Sequence, residues 1–301
     1  MDAAIRVTDL AKRYGDLRAV DGVSFEVKRG EFFGILGPNG AGKTTTLEIV
    51  EGLRKPDSGT VSLLGEAPWP RNKKLGQRIG VQLQASAFFD RLTAREQART
   101  FADLYGVPRA HADEMLETVG LTEKANTPME KLSGGQAQRL SIACALIHEP
   151  ELVFLDEPTA ALDPQARRNL WDLLRKVNAD GRTVVLTTHY MDEAESLCDR
   201  VAIMDKGKIL KIDTPAALVK GLAAATRISI SSGFLSTDEV REVAGDVAQT
   251  DDDGVELTFT THDPATILTT LAARSALDGL RVSGATLEDV FLDLTGREYR
   301  A

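Results

Sequence analysis

The hydrophobic positions of the first 220 residues follow two alternating patterns. Short continuous apolar runs, which are typical of buried strands, occur at 31–36, 79–81, 151–155 and 183–187. Between the last two runs, apolar residues recur at i, i+3, i+4 and i+7, which predicts a helix face of Leu170, Leu173, Leu174 and Val177. Strand, helix and strand in this order favour an α/β fold with a parallel sheet covered by helices.

The segment between residues 86 and 131 shows no strand pattern. Thr93 and Glu96 have the spacing of a capping box, in which a hydroxyl and a carboxylate satisfy free amides at a helix start. We expect a helix from there to about Tyr105, because a glycine and a proline follow. The α/β domain is therefore predicted to contain a helical insert, at about residues 86–150.

The pattern changes after Lys220. Alternating apolar and polar positions predict strands at 227–231, 256–260 and 280–283, and helical spacing predicts helices at 237–243, 264–274 and 287–294. We therefore expect an α/β domain over 1–221 and a small α+β domain over 222–301, with a boundary near Gly221.

Composition and charge exclude several classes of protein. The chain of 301 residues is 43% hydrophobic and 27% charged, which is ordinary for a globular protein. No apolar run approaches the roughly 18 residues of a membrane helix, and the first six residues do not show the pattern of a secretory signal, so none is expected. The two cysteines, Cys144 and Cys198, have no disulfide or zinc spacing and are expected to be small buried hydrophobes in a reducing compartment.

The acidic charge is concentrated at the C-terminal end. The whole chain carries 36 basic and 45 acidic residues, a net charge of −9. Residues 222–301 hold six arginines, no lysine and fourteen acidic residues, which accounts for −8 of that charge. Nucleic acids and anionic lipids need clustered basic residues, so we expect no nucleic-acid partner.

A glycine-rich loop after the first apolar run carries the strongest chemical signal. Its residues fit the phosphate-binding loop pattern: Gly37, Pro38, Asn39, Gly40, Ala41, Gly42, Lys43 and Thr44. Glycines let backbone amides turn toward phosphate oxygens, and the next helix offers its positive N-terminal end. Lys43 can reach the β- and γ-phosphates, and the Thr44 hydroxyl can bind Mg²⁺.

Two further segments carry candidate chemistry. Asp156 and Glu157 close the apolar run 151–155, at the strand edge where parallel sheets bind ligands. Asp156 suits Mg²⁺, and Glu157 can polarise a water beside the γ-phosphate, although a solvated acidic strand end is the alternative. Ser133, at the start of an apolar helix with two glycines, suits a second anion site or an ordinary helix cap.

Three single residues have a structural and a functional interpretation. His189 ends the predicted strand at 184–188, and a lone histidine there is more often a packed residue of the core or the sheet edge. Gln84 follows the run at 79–81, and alone it means little. Tyr14 suits stacking on a base, but a lone tyrosine is more often a packing residue.

Together these residues resemble the ATP-binding cassette (ABC) family over about residues 3–220. In the family's order they are Tyr14, the phosphate loop, Gln84, the Leu132–Gln136 signature LSGGQ, Asp156 with Glu157, the aspartate loop at 161–163 and His189. Ala85 and Ala137 depart from common family residues, outside the expected phosphate contacts. The resemblance implies a P-loop NTPase-type nucleotide-binding domain with an N-terminal β subdomain.

The resemblance also implies the roles of the site residues in a Mg²⁺-dependent ATPase. The residues with implied catalytic roles are Glu157, His189, Lys43 and Gln84. The residues implied to bind Mg²⁺ are Thr44, Gln84 and Asp156. ATP contacts fall to Tyr14, residues 37–44, Thr45, Ser133, Gly134, Gly135, Gln136 and Asp163. Because the loop of one copy faces the signature of another in this family, a homodimer with ATP at its interface is expected.

The absence of a membrane span puts the translocation path on another chain. The family then implies a cytoplasmic subunit bound to the inner face of the membrane through an integral permease. Phe88 and Phe89 in the helical insert are either a socket for that permease or core residues. A cassette acting on ribosomes or DNA is the alternative function, but the charge of −9 disfavours it. A regulatory cassette that only binds ATP is disfavoured by the intact Glu157 and His189.

The tail resembles a narrower group. Residues 286–296 are similar to the C-terminal motif of daunorubicin-resistance cassettes, which power export through a separately encoded permease. Related polysaccharide, antibiotic and lipid exporters share this pattern, and the resemblance implies export of drug, antibiotic or lipid-like cargo. This motif places Leu287, Val290, Phe291 and Leu294 on one helical stripe. The stripe either closes the core of the small domain or docks on a second copy of the chain.

Overall fold

A computed structural model describes residues 3–82, 88–89, 91–160, 162–222 and 226–296. Its strands are β1 (Ala3–Tyr14), β2 (Leu17–Lys28), β3 (Phe32–Leu36), β4 (Ser58–Leu63), β5 (Ile79–Gln82), β6 (Leu152–Asp156), β7 (Thr183–Thr188), β8 (Arg200–Asp205), β9 (Lys208–Asp213), β10 (Thr226–Ser231), β11 (Ala248–Asp252), β12 (Glu256–Thr261) and β13 (Arg281–Ser283). Its α-helices are α1 (Lys43–Val50), α2 (Lys73–Gly76), α3 (Ala94–Tyr105), α4 (Arg109–Thr118), α5 (Gly134–Leu146), α6 (Pro164–Ala179), α7 (Met191–Leu197), α8 (Pro215–Lys220), α9 (Thr237–Ala244), α10 (Pro264–Ala273) and α11 (Leu287–Thr295).

The predicted buried strands form the centre of a six-stranded sheet in the order β5-β6-β7-β3-β8-β9. The pairs from β5 to β8 are parallel, and β9 is antiparallel to β8. Every residue of β3, β6 and β7 is buried, as expected for parallel strands covered on both faces. The register pairs Leu36 with Thr188 and Asp156 with Thr187, so these three strands end at one edge of the sheet.

An antiparallel sheet in the order β2-β1-β4 packs on this framework. Its apolar side chains share one buried cluster with α1 and the central sheet, and Phe25 stacks on Phe33 at 5.4 Å. The periodicity of the sequence did not predict these strands, because irregular register in β1 interrupts the alternation.

The first helix predicted in the helical insert is confirmed. Thr93 caps α3 through a reciprocal capping box with Glu96, and Gly106 ends the helix in the left-handed conformation. Arg95 and Arg99 both pair with Asp113 of α4, which joins the two helices. The bounds 86–150 of this insert remain a prediction.

The chain divides into two compact units after Pro215. The second unit contains an antiparallel sheet in the order β11-β12-β10-β13. Its core joins β10 and β12 to α9 and α10 through Ile228, Phe259, Val243, Ile267 and Leu271. The α+β prediction for this region agrees with these elements, except that the polar strand β11 was not predicted. The assignment of 1–221 and 222–301 as separate functional domains remains a prediction.

The structure bears on three smaller expectations. Leu287, Val290 and Phe291 of α11 are buried within the single chain, whereas Leu294 is half-buried, and docking of this stripe on a second copy stays a prediction. Both cysteines are free and buried, as predicted. Among the described residues, no helix combines the length and hydropathy that crossing a membrane requires.

Candidate functional site

The phosphate loop joins β3 to α1 at the edge where the parallel strands end. Glycine is required at two of its positions. Gly42 has φ 103°, and a Cβ there would lie 2.2 Å from the Ala19 carbonyl oxygen. A Cβ on Gly37 would lie 2.2 Å from the Met204 carbonyl oxygen. Side chains at either position would therefore push the loop away from the neighbouring backbone.

Lys43 lies under this loop, and its side chain is only 4% exposed. Its Nζ donates hydrogen bonds to the carbonyl oxygens of Gly37 at 2.9 Å and Pro38 at 3.2 Å. The same Nζ lies 3.1 Å from Glu157 Oε1. The ammonium is thus held at the loop by one buried carboxylate and two carbonyls.

Glu157 follows β6 in a left-handed conformation, with φ 48°. Its amide donates to Thr187 Oγ1 at 3.0 Å, which ties this turn to β7. Its Oε2 lies 3.1 Å from His189 Nδ1, opposite the contact with Lys43. Strained backbone at a non-glycine residue is frequent at functional sites, where the surrounding contacts hold it. The turn aims one carboxylate at both Lys43 and His189.

Asp156 lies beside this group, at the end of β6. Thr44 Oγ1 donates to Asp156 Oδ1 at 3.3 Å, and Thr187 Oγ1 donates to the same oxygen. Burial raises the pKa of Asp156; hydrogen bonds from Thr187 and Thr44 oppose that rise, and the charge of Glu157 adds to it. The Asp156 carboxylate and the adjoining Thr44 hydroxyl are oxygen ligands that suit Mg²⁺. Gln84, predicted to join them, lies outside the described residues.

A cavity of about 340 Å³ opens above the loop. It is lined by Tyr14, Leu17, Ala19, Asn39, Gly40, Gly42, Lys43, Thr44, Thr45 and Glu157. Tyr14 is 41% exposed, so it is not a core residue, and its ring lies 5.8 Å from Lys12 Nζ and 5.4 Å from Arg54 Cζ. Leu17 and Ala19 were not predicted as site residues, because no spacing distinguishes them from other residues of a strand.

Other predicted contact residues do not line this cavity. Ser133 caps α5 through a capping box with Gln136, and the space above Gly134 is open. Asp163 caps α6 by accepting a hydrogen bond from the Ala166 amide at 2.8 Å. Ala161, in the same predicted loop, lies outside the described residues. Within the described residues, one chain therefore brings together only part of the predicted nucleotide site.

Two contacts from α6, one to α7 and one to the residue before it, support the segment that carries His189. Trp171 Nε1 donates to Glu193 Oε1 at 3.1 Å, and burial raises the pKa of Glu193. One turn earlier on α6, the Arg167 guanidinium lies 4.0 Å from the centre of the Tyr190 ring. These contacts depend on how two distant helices pack, so no motif in the sequence indicated them.

Comparisons with known proteins identify the relatives of this arrangement. A family model described as ABC transporter matches residues 20–160. The chain is 41% identical over 305 residues to the Nod factor export ATP-binding protein I of Sinorhizobium fredii, covering 99% of this chain and 88% of that protein. It is 37% identical to the linearmycin resistance ATP-binding protein LnrL of Bacillus subtilis, covering 98% and 99%. A dimeric post-hydrolysis structure of the ATP-binding cassette MJ0796, bound to ADP and Pi, matches with a TM-score of 0.64 and 31% identity, covering 70% of this chain and 98% of that one.

Proposed function

The chain belongs to the ABC transporter family as an ATP-binding subunit, and we propose that it hydrolyses ATP to power export through a separately encoded membrane permease. The observation that supports hydrolysis most strongly is the contact of Glu157 with both Lys43 and His189. Lys43 and Glu157 line a cavity built on a phosphate loop, and His189 contacts Glu157 from outside that lining. A phosphate group and an attacking water would therefore both lie beside Lys43, Glu157 and His189.

The order of events follows from the buried ion pair. When phosphates enter the loop, the Lys43 ammonium releases the Glu157 carboxylate and binds phosphate oxygens instead. The loop amides and the N-terminus of α1 also stabilise the negative charge of the phosphates. Glu157 is then free to orient a water, while His189 stays within reach of that carboxylate and the terminal phosphate. Thr44 and Asp156 would hold Mg²⁺, which neutralises charge on the transferred phosphate when it is bound. Tyr14 stacks on the base.

A second copy of the chain completes the site in this proposal. Ser133, Gly134, Gly135, Gln136 and Asp163 do not line the cavity of their own chain. Backbone amides at the start of α5 are suited to bind phosphate, and the open space above Gly134 leaves room for it. The relative MJ0796 forms a dimer with ADP and Pi, which supports the same assembly for this chain.

The proposed cargo is drug-, antibiotic- or lipid-like, and it is carried by the permease. The relatives named for Nod factor export and linearmycin resistance support this class of cargo, because the similarity extends over most of the length of each relative. The motif at 286–296 forms α11, whose Thr286 and Asp289 make a reciprocal capping box. Its similarity to daunorubicin-resistance cassettes supports that narrower group. The chain would then act in the cytoplasm, on the inner face of the membrane.

Phosphate release by the purified chain tests the proposal. Wild-type protein should hydrolyse ATP in the presence of Mg²⁺, and Lys43→Ala should lower ATP affinity or turnover at least about tenfold, because it removes a charge-assisted contact. Lys176→Ala is the matched control, since Lys176 is exposed on α6. Equal affinity and turnover in all three proteins would refute the assignment of the phosphate loop. Stimulation of turnover by ribosomes or DNA, without any effect of a permease, would favour the alternative function.

A further inference from the structure

A second cavity, of about 390 Å³, lies apart from the nucleotide site and is here called the Glu51 groove. It is bounded by the end of α1, residues 68–76, β5 and the last turn of α3. Its lining consists of Glu51, Gly52, Leu53, Pro68, Arg71, Asn72, Leu75, Gly76, Ile79, Val81, Phe101, Leu104 and Tyr105. The walls are thus mainly apolar, and they join the central sheet to the helical insert.

Glu51 is an unexpected residue in such a wall. It is only 6% exposed, and neither carboxyl oxygen has a hydrogen-bond partner in the described part of the chain. It also follows the last residue of α1, where the negative end of the helix dipole disfavours a carboxylate. Buried polar groups are almost always paired in native proteins, so an unpaired carboxyl facing a cavity indicates a missing partner.

The charges around Glu51 do not supply that partner. Burial, followed by the negative charges of Asp156 and Glu48, raises the pKa of Glu51 to about 8. Arg54 is engaged with Glu48 at 2.5 Å. Among the described residues that line the groove, Arg71 is the one cationic side chain, and it is exposed. Glu51 therefore remains protonated near neutral pH until a cation reaches it.

The rim of the groove is suited to an apolar surface. Leu53 is 50% exposed on one side, and Leu104 is 70% exposed on the helical side. Leu75 and Ile79 are buried deeper in the lining. A side chain with an aliphatic stem and a cationic head matches an apolar wall with a carboxyl group in it, because lysine and arginine pack their stems on apolar walls.

We propose that the Glu51 groove receives a lysine or arginine side chain carried on an apolar segment of the membrane permease, and that its cationic head pairs with the Glu51 carboxylate. This inference rests on the proposed function only for the identity of the partner. The pairing converts an unsatisfied carboxyl into a charge-assisted contact and removes one proton from Glu51. Partners without a basic residue at this position would leave Glu51 unsatisfied, so Glu51 selects among permeases.

Binding of short helical peptides to the full chain tests this selection. The probe is an alanine–leucine peptide with one central lysine, compared with the same peptide carrying glutamine or glutamate there. At pH 7 the lysine peptide should bind wild-type protein about tenfold more tightly than the glutamine peptide, as expected for one charge-assisted contact. That preference should disappear in Glu51→Gln. It should persist in Glu48→Gln, which removes a neighbouring carboxylate of α1 that lies outside the groove lining.

Two further measurements keep the proposal open to refutation. Calorimetry in buffers of different ionisation enthalpy should detect release of about one proton when the lysine peptide binds wild-type protein at pH 7, and this readout needs no variant. In Arg71→Gln the preference for the lysine peptide should be retained or increased, because the variant lacks the arginine that could compete with the peptide lysine for the Glu51 carboxylate. Equal binding of the lysine and glutamine peptides, a preference that survives Glu51→Gln, or binding without proton release would overturn the proposal. ATP turnover measured on the same samples separates this outcome from failure of the proposed function.

Discussion

The buried pair of Lys43 and Glu157 leads to a quantitative prediction for Glu157→Gln. Their side chains are 4% and 8% exposed and lie 3.1 Å apart, so solvent screens the pair little. Glutamine keeps the shape of Glu157 but removes its charge, while Lys43 keeps its bonds to the carbonyls of Gly37 and Pro38. Loss of one buried charged partner with two neutral ones remaining should cost about 2 kcal/mol in the free energy of unfolding.

Thermal unfolding without nucleotide measures this cost. For a domain of this size, about 2 kcal/mol corresponds to a fall in Tm of roughly 4–8 °C. Saturating Mg-ATP should reduce the difference between variant and wild type, because Lys43 then rests on phosphate in both proteins. The variant should also bind ATP more tightly, since no ion pair has to be broken.

Glu151→Gln is the matched control, because Glu151 precedes the strand that Glu157 follows. Its ion pairs with Arg29 and Arg78 are partly exposed, so its loss should cost less than about 1 kcal/mol. If Glu157→Gln and Glu151→Gln melt together without nucleotide, or if ATP widens the gap between Glu157→Gln and wild type, the reasoning about the buried pair is refuted.

Three further predictions concern the framework around the site. Gly42→Ala should lose at least about 2 kcal/mol in urea unfolding because its Cβ meets a backbone oxygen, whereas Gly40→Ala, with a left-handed φ but open space, should lose about 1 kcal/mol. Trp171→Phe should lower stability by about 1–2 kcal/mol and reduce turnover, since it removes the donor to the buried Glu193; unchanged melting would contradict that contact. The pKa of Glu51 is about 8 in the folded protein, against 4.5 for an ordinary glutamate. Between these two pH values the folded protein binds more protons than the unfolded chain, so its stability falls as the pH rises. From pH 5 to pH 8, the free energy of unfolding of wild-type protein should therefore fall by at least about 1 kcal/mol more than that of Glu51→Gln.

Local sequence signals were sufficient for elements whose pattern is set within a few residues. The apolar runs of β3, β6 and β7 predicted buried strands, because both faces of these strands are covered. The capping residues Thr93 and Ser133 marked the starts of α3 and α5, because their hydroxyls bond amides within the same turn.

Long-range packing determined what the sequence could not predict. β11 was missed because its strand AQTDD is polar and is held by pairing with β12. The phosphate loop was visible as a motif, but the contact of Glu157 with Lys43 joins residues from β6 and α1. Glu51 carried no signal at all, since its isolation depends on the segments that surround the groove. Phe88 and Phe89 remained ambiguous, and the structure leaves Phe89 52% exposed, which excludes a core role for that residue.

Sedimentation of Glu157→Gln with and without Mg-ATP tests the central claim that two copies of this chain enclose ATP. The variant binds ATP but lacks the carboxylate that orients water, so it should sediment as a dimer with Mg-ATP and as a monomer without nucleotide. Glu151→Gln, which retains Glu157, should hydrolyse ATP and show no lasting dimer. A Glu157→Gln protein that binds ATP but remains a monomer at every nucleotide concentration would contradict the account.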